Sequence, residues 1–192
     1  MEIFKASAME QFLITYFLQT GIGWAMLGGV CAAAMGAIGS GKGIRIASEQ
    51  AAGALSEKPE IFGKLLVIIA LPGTQGFYAF ITLVFIAFRI NLVNAGTTPE
   101  TAVAVSPIIG FALMCVGIGV GCVEWRTAVA QGETSAAAVN LVAKQPDESG
   151  RAILLPALVE TYALLGLLAG ILMTFLLTKP MMFANPALNI VK

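Results

Sequence analysis

Four long apolar stretches, separated by polar segments, dominate this sequence. They cover residues 11–41, 65–88, 102–123 and 152–178. Each is about as long as, or longer than, the ~20 residues that an α-helix needs to cross the hydrocarbon core of a bilayer. A helix satisfies all of its backbone polar groups within one segment, which lipid cannot do for it. The pattern therefore predicts an all-α membrane protein with four transmembrane helices.

Three polar segments connect these stretches, and we expect them to be loops. They cover residues 49–64, 89–101 and 133–151. The first and third contain a proline followed by an acid, Pro59-Glu60 and Pro146-Asp147. Proline is favoured in the first turn of a helix. Each proline therefore marks the start of the helix that follows a hairpin turn.

The two halves of the chain resemble each other, which indicates an internal duplication. Both contain Leu-Pro, five further positions and then Tyr, in residues 71–78 and 155–162. In this register Glu160 aligns with Gly76, so the second copy alone has a carboxylate at that position. We predict two tandem helical hairpins. Residues 1–96 form the first, with an N-terminal lead, and residues 97–192 form the second, with the carboxylate and a C-terminal tail.

Composition supports a membrane protein and excludes several functional classes. Apolar residues make up 58% of the chain and charged residues 11%, and the mean hydropathy is +0.87. Soluble domains usually have about 25% charged residues. Eleven basic and eleven acidic residues cancel, which gives no electrostatic case for nucleic acid. The absence of histidine disfavours haem, His-ligated zinc and His-based acid–base catalysis. The cysteines lack CxxC spacing and are expected to be buried bystander thiols: Cys31, Cys115 and Cys122.

The distribution of basic residues predicts the orientation in the membrane. The first and third connections, with the helix ends beside them, contain Lys42, Arg45, Lys58, Lys64, Arg126, Lys144 and Arg151. The other side contains Lys5, Arg89, Lys179 and Lys192. This excess places the hairpin turns on the cytoplasmic side. The first apolar stretch is longer than the ~7–15 residues of a secretory signal core, so we expect a retained helix.

Glu160 is the candidate for chemistry, because a charge within a bilayer is costly and rarely accidental. It lies 14 residues after Pro146, which places it about 21 Å from the turn in a helix. Counted from the hairpin prolines, three other polar side chains reach the same depth: Thr74, Gln75 and Gln131. The four groups supply oxygen ligands, which hard cations prefer, and one carboxylate neutralises one monovalent ion.

Two nearby residues complete the predicted site. Pro72 has no N–H and leaves the carbonyl of Ile68 free, which loosens the second helix. Tyr78 is four residues from Thr74, on the same helix face, and can donate a hydrogen bond to the carboxylate. The alternative is that Glu160 is a protonated acid that joins helices structurally, because polar contacts of this kind stabilise membrane proteins modestly.

Glycines recur every seven residues in the first and third stretches: Gly21 and Gly28, Gly29, Gly36 and Gly43, and Gly110 and Gly117. Small residues allow helices to approach closely. They suit an inner wall built from many copies or ordinary packing within one chain. Residues 36–43 almost match a phosphate-binding P-loop, but such a loop follows a strand and this segment follows an apolar helix. Helix packing explains these glycines better than nucleotide binding.

These residues closely resemble the proteolipid (K or c) subunit of V-type and A-type rotary ATPases, in the two-hairpin form of bacterial sodium-translocating enzymes. The similar segments are residues 39–43, 71–78, 130–132 and 159–163. The resemblance implies a homo-oligomeric rotor ring in the bacterial cytoplasmic membrane, surrounded by lipid. It implies a stator subunit with an arginine, a central-stalk subunit, and a separate soluble head that makes or hydrolyses ATP.

The resemblance also implies roles for individual residues. Glu160 would carry the ion, with side-chain oxygens from Thr74, Gln75 and Gln131 and the backbone carbonyl of Leu71 as further ligands. Tyr78 would hold the carboxylate in the loaded state. Na⁺ is the implied ion, with H⁺ or Li⁺ able to share the site, and neither an organic cofactor nor a nucleotide is expected. The chain itself would have no catalytic residues and would act as the translocating subunit.

The sequence leaves two alternative functions open and contains one unusual charged segment. A stand-alone four-helix channel or carrier would use the same site, and a structural membrane scaffold would contain an incidental buried acid. Glu124-Trp125-Arg126 places two charges in the third helix. We expect Glu124 and Arg126 to form an ion pair, with a second ion station at Glu124 as the alternative.

Overall fold

The computed structural model describes residues 8–90 and 105–183, and their regular secondary structure is helical. The α-helices are α1 (Ala8–Leu13), α2 (Ile22–Glu57), α3 (Phe62–Ala70), α4 (Thr74–Arg89), α5 (Pro107–Lys144), α6 (Ser149–Ala152) and α7 (Leu154–Phe183). A π-helical segment covers Ile14–Gln19, and 3₁₀ turns cover Pro59–Ile61, Leu71–Gly73 and Pro146–Glu148.

Four helical rods are long and apolar enough to span a membrane, which confirms the predicted fold class. They cover Ile22–Glu57, Pro59–Arg89, Pro107–Lys144 and Pro146–Lys179. The second rod consists of α3 and α4, and the fourth of α6 and α7, each with its preceding 3₁₀ turn. The first and third rods are longer than their apolar stretches in the sequence.

The hairpin turns are much shorter than the polar segments that we expected to be loops. Most of residues 49–64 and 133–151 is helical, and the two rods of each hairpin meet at a single non-helical residue. That residue is Lys58 in the first hairpin and Gln145 in the second, and φ is −136° at both. A following proline disfavours the helical conformation at the residue before it and then starts the next helix. The expected loop at 89–101 begins where α4 ends, and residues 91–101 lie outside the described part.

Glycines bring α2 and α5 into backbone contact within one chain. A Cβ atom added at Gly39 would lie 2.5 Å from the Cα of Trp125, and one at Gly132 would lie 2.5 Å from the Cα of Gly43. Gly28 and Gly117 face each other in the same way, and so do Gly21 and Gly110. These glycines therefore pack α2 against α5, while Gly29 and Gly36 face Leu83 and Ala79 of α4. Residues 36–43 belong to the middle of a helix and not to a P-loop.

Buried apolar clusters occupy the two ends of the bundle, and polar side chains are buried between them. The cluster beside the hairpin turns includes Leu65, Ile68, Val139 and Val142. The opposite cluster includes Ile22, Ile86 and Leu113. α4 and α7 contact each other and α5, and their outer faces expose large apolar side chains. The bundle thus presents an apolar surface to its surroundings and holds its polar groups inside, as lipid requires.

The three cysteines are free thiols, but they are less buried than expected. Cys115 and Cys122 are exposed on the surface of the chain, and Cys31 is half-buried. The expectation that all three are buried is therefore wrong. Each belongs to one of the long helices α2 and α5, where an apolar residue can face lipid as readily as the interior.

Candidate ion-binding site

A break in the second rod positions one side of the site. The 3₁₀ turn Leu71–Gly73 contains Pro72, which cannot donate a backbone hydrogen bond, and α4 begins at Thr74. The Thr74 hydroxyl oxygen lies 2.9 Å from the carbonyl oxygen of Leu71. Ser40 of α2 accepts a hydrogen bond from the backbone N–H of Gly76 at 2.8 Å. Ser40 therefore satisfies a donor that the first turn of a helix leaves without an intrahelical partner.

Three donors from two neighbouring helices converge on the Glu160 carboxylate. Oε2 accepts from the Thr74 hydroxyl at 2.9 Å and from Nε2 of Gln131 at 2.7 Å. Oε1 accepts from the Tyr78 hydroxyl. Glu160 itself is half-buried, in α7. The three helices α4, α5 and α7 therefore meet around one acid.

The two glutamines form a fully buried pair behind the acid. Both are 0% exposed, and Nε2 of Gln75 donates to Oε1 of Gln131. Nε2 of Gln131 also donates to the carbonyl of Pro156 at 3.0 Å. Gln75 is thus connected to Glu160 through Gln131, and Leu71 is connected to it through the hydroxyl of Thr74. The structure brings together Glu160 and the five residues that the sequence analysis placed around it.

The described residues supply no positive charge next to the Glu160 carboxylate. Among residues 8–90 and 105–183, the side chains that contact the Glu160 carboxylate are neutral. A buried carboxylate without a counter-charge is costly in lipid, so it favours a proton or a cation as its partner. Carboxylate, amide, hydroxyl and backbone carbonyl oxygens lie together here, and hard cations prefer these ligands. A single acid in the group matches a monovalent ion in charge.

The orientation of the glutamine amides is compatible with either partner. The amide of Gln131 presents nitrogen to the carboxylate, as suits a site without a cation. A half-turn of the amide presents oxygen instead, because its two ends have nearly the same shape. The Gln75 amide is linked to that of Gln131, so the two would turn together. The same residues can therefore bind a protonated acid or an ion.

The predicted ion pair between Glu124 and Arg126 is wrong. Glu124 is 0% exposed, and within the described residues neither of its carboxylate oxygens has a hydrogen-bond partner, while the Arg126 side chain is exposed. Residues two positions apart on a helix do not face each other, which explains the separation. Sequence reasoning also missed Ser40 and the Pro156 carbonyl. The only sequence signal for Ser40 was a polar residue within a glycine stripe.

Comparison with known proteins agrees with this geometry. The sequence profile of the ATP synthase C-subunit family matches twice, at residues 27–86 and 104–173. The chain is 33% identical over 165 residues to V-type sodium ATPase subunit K of Enterococcus hirae, which covers 86% of this chain and 97% of that protein. It is 32% identical over 165 residues to A-type ATP synthase subunit K of Methanocaldococcus jannaschii, covering 86% of this chain and 69% of that one.

The double match fits one copy of the family's helical unit to each half of the chain, as the tandem repeat predicts. Most of the described structure lies within the two matched segments, including all of the residues around Glu160. The four spanning helices and the family together establish an integral membrane protein. The chain belongs to the ATP synthase C-subunit family.

Proposed function

We propose that this chain is the rotor-ring subunit of a V-type or A-type ATPase, and that it carries Na⁺ across the membrane on Glu160. The observation that carries the proposal is the convergence of Thr74, Tyr78 and Gln131 on an acid to which the described residues supply no counter-charge. The similarity to a sodium ATPase subunit supports Na⁺. The same site accepts H⁺ as a second candidate, because its donors also suit a protonated acid.

The mechanism follows from the energy of a charge in lipid. An empty, ionised Glu160 is costly on the lipid-facing arc, by about 2.5–3.5 kcal/mol on insertion scales. A bound cation neutralises it and allows the subunit to cross that arc. Tyr78 holds Oε1 while Thr74, the two glutamines and the Leu71 carbonyl surround the ion. A positive charge on the stator then competes for the carboxylate and releases the ion.

The partners follow from this cycle. Copies of the chain form the ring, a stator subunit supplies an arginine, and a central-stalk subunit links the ring to a soluble head that handles ATP. Residues 1–96 and 97–192 act as two hairpins with their turns on the cytoplasmic side of a bacterial membrane. Each charge that crosses exchanges about 2.3 kcal/mol per 100 mV, so several subunits must act for each ATP.

A carbodiimide labelling experiment tests the proposed function. The reagent modifies protonated carboxyl groups, so it labels Glu160 in the purified protein, and Na⁺ protects by replacing the proton. Protection weakens as the pH falls, because H⁺ competes for the same carboxylate. The matched variants are Glu160→Gln, which abolishes Na⁺ binding and this label, and Glu133→Gln, which removes an exposed acid from α5 and changes neither.

The outcomes separate the alternatives. Labelling of Glu160 that Na⁺ does not affect at any pH would rule out the sodium site and favour a proton carrier or a scaffold. Purification of high-mass rings together with ATPase subunits supports the rotor. Recovery of Na⁺-binding single chains alone would instead identify a stand-alone channel or carrier.

A further inference from the structure

Glu124 is a buried acid that the proposed ion cycle does not use. It lies in the middle of α5, is 0% exposed, and neither carboxylate oxygen has a hydrogen-bond partner among residues 8–90 and 105–183. Its carboxyl group points at α7 where Gly166 leaves space. A Cβ atom at Gly166 would lie 3.4 Å from Oε1 of Glu124. A neighbouring helix therefore accommodates the side chain without supplying a polar partner.

Glu124 is separate from the site around Glu160. It precedes Gln131 by seven residues on α5, which corresponds to about 10 Å along the helix, away from the hairpin turns. The donors that bind the Glu160 carboxylate are Thr74, Tyr78 and Gln131. The two carboxyl groups therefore have different surroundings. Of the described side chains, three donate to Glu160 and none donates to Glu124.

The ionisable groups that face Glu124 do not compensate its charge. Glu160 of α7 interacts with it electrostatically as a like charge. Tyr78 of α4, whose hydroxyl is neutral, also interacts with Glu124 electrostatically. Where α2 packs against this part of α5, it contributes Ala32 and Met35 next to Gly121. Within the described part of the chain, no Lys or Arg pairs with Glu124.

We propose that Glu124 is a second, proton-binding site, which holds its carboxyl group in the neutral form while a cation binds at Glu160. A cation would need several oxygen ligands, and none of the described side chains forms a hydrogen bond with the Glu124 carboxyl group. A bare carboxylate would be buried without a counter-charge, next to a second acid. A bound proton removes both costs. The inference rests on Glu124 itself and holds for either ion at Glu160.

This assignment gives each subunit two acids with different ligands. The cation site is surrounded by polar groups from three helices. The proton site lies about one and a half to two helical turns further from the hairpin turns, in an apolar setting. A proton that stays on Glu124 keeps the summed charge of the two acids and the bound Na⁺ at zero, which the proposed rotor needs in order to face lipid.

Infrared spectroscopy of the purified full-length protein with saturating Na⁺ tests the proposal. A protonated carboxyl group has a C=O stretching band that a carboxylate and an amide lack. We expect this band in the wild type and in Glu160→Gln, and we expect its loss in the double variant Glu124→Gln/Glu160→Gln, in which Glu160 cannot contribute a band. The matched control is Glu133→Gln, which replaces an exposed acid of the same helix and keeps the band. Gln has nearly the size of Glu, and retained Na⁺ binding by the single variant Glu124→Gln shows that this substitution leaves the protein folded.

Sodium binding gives the second measurement. Because Glu124 is neutral, Glu124→Gln leaves one Na⁺ per subunit and changes the Na⁺ affinity by less than about threefold. An ionised Glu124 at about 10 Å would attract the cation, and its removal would weaken binding by about tenfold or more. That weakening, or a band that is missing in Glu160→Gln or survives in the double variant, overturns the proposal. Two Na⁺ per wild-type subunit and one in Glu124→Gln would overturn it in favour of a second cation site.

The failure of the proposed function would look different. If Glu160 does not bind Na⁺, either the wild type binds no Na⁺ or Glu160→Gln retains Na⁺ binding, and the band of Glu124 in Glu160→Gln is unaffected. The two hypotheses are therefore tested by different variants in the same preparation.

Discussion

The close contact between α2 and α5 makes a prediction that can be tested with two alanine substitutions in the same helix. In Gly117→Ala, the new Cβ atom would strike backbone atoms of Gly28, including Cα at 2.9 Å. Backbone cannot rotate away as a side chain does, so the helices must separate. In Gly119→Ala, two residues further along, the new Cβ atom meets no described atom within 4 Å. Gly119 therefore serves as the matched control.

The difference in stability between the two variants isolates the clash. Both substitutions replace glycine by alanine in a helix, which favours the helix by about 0.8–1.0 kcal/mol in each case. That gain cancels in the comparison. Overpacking in a closely packed core costs typically about 1–3 kcal/mol. We therefore expect Gly117→Ala to be less stable than Gly119→Ala by about that amount.

The assay is equilibrium unfolding of single chains in mild detergent, with increasing amounts of a denaturing detergent and helicity as the readout. The use of single chains excludes any effect of contacts between copies on the comparison. Equal unfolding midpoints for the two variants would refute the reasoning, because they would show that α2 and α5 separate at no cost. A loss of stability in Gly119→Ala as large as in Gly117→Ala would refute it equally.

Two further predictions concern single hydrogen bonds. Tyr78→Phe removes a donor to the Glu160 carboxylate, and a hydrogen bond to a charged group is worth about 1.5–3 kcal/mol, so Na⁺ affinity should fall at least tenfold in a binding titration. Tyr162→Phe, the exposed counterpart in the other repeat, should leave it unchanged. Ser40→Ala leaves the N–H of Gly76 unpaired and should lower the free energy of unfolding by about 1–3 kcal/mol; an unchanged midpoint would show that water or another group replaces the hydroxyl.

Much of the fold follows from the sequence because the bilayer restricts the possible structures. Four apolar stretches and two prolines before acids suffice to place four helices and two turns. The full length of the helices could not be predicted from the sequence. Residues 49–57 and 133–144 mix charged and polar side chains with small apolar ones, so they resemble loops, yet they continue α2 and α5 beyond the apolar stretches. A helix can extend past the lipid into water, where hydropathy no longer distinguishes it from a loop.

The residues of the candidate site could be predicted from the sequence because their depth along the helices could be counted. Counting residues from Pro59 and Pro146 placed Thr74, Gln75 and Gln131 at the level of Glu160, and the structure joins them by hydrogen bonds. Which amide atom faces the acid did not follow, because it depends on rotamers and on neighbouring helices.

The mistaken ion pair between Glu124 and Arg126 has a different origin. Nearby opposite charges suggest a pair in the sequence, but successive side chains point in different directions around a helix. Helical geometry alone separates residues two apart, while the burial of Glu124 against Gly166 depends on how α5 and α7 pack.

The glycine at position 76 has a consequence for the rotor as a machine. A Cβ atom there would lie 3.1 Å from the hydroxyl oxygen of Ser40, so the first repeat leaves little room for a side chain at the position where the second has its acid. Under the proposed function, each four-helix subunit moves one ion where two acids would have moved two. A ring of given circumference passes half as many charges in one revolution. With fewer ions moved per ATP, the energy of each ATP can drive an ion against a steeper gradient.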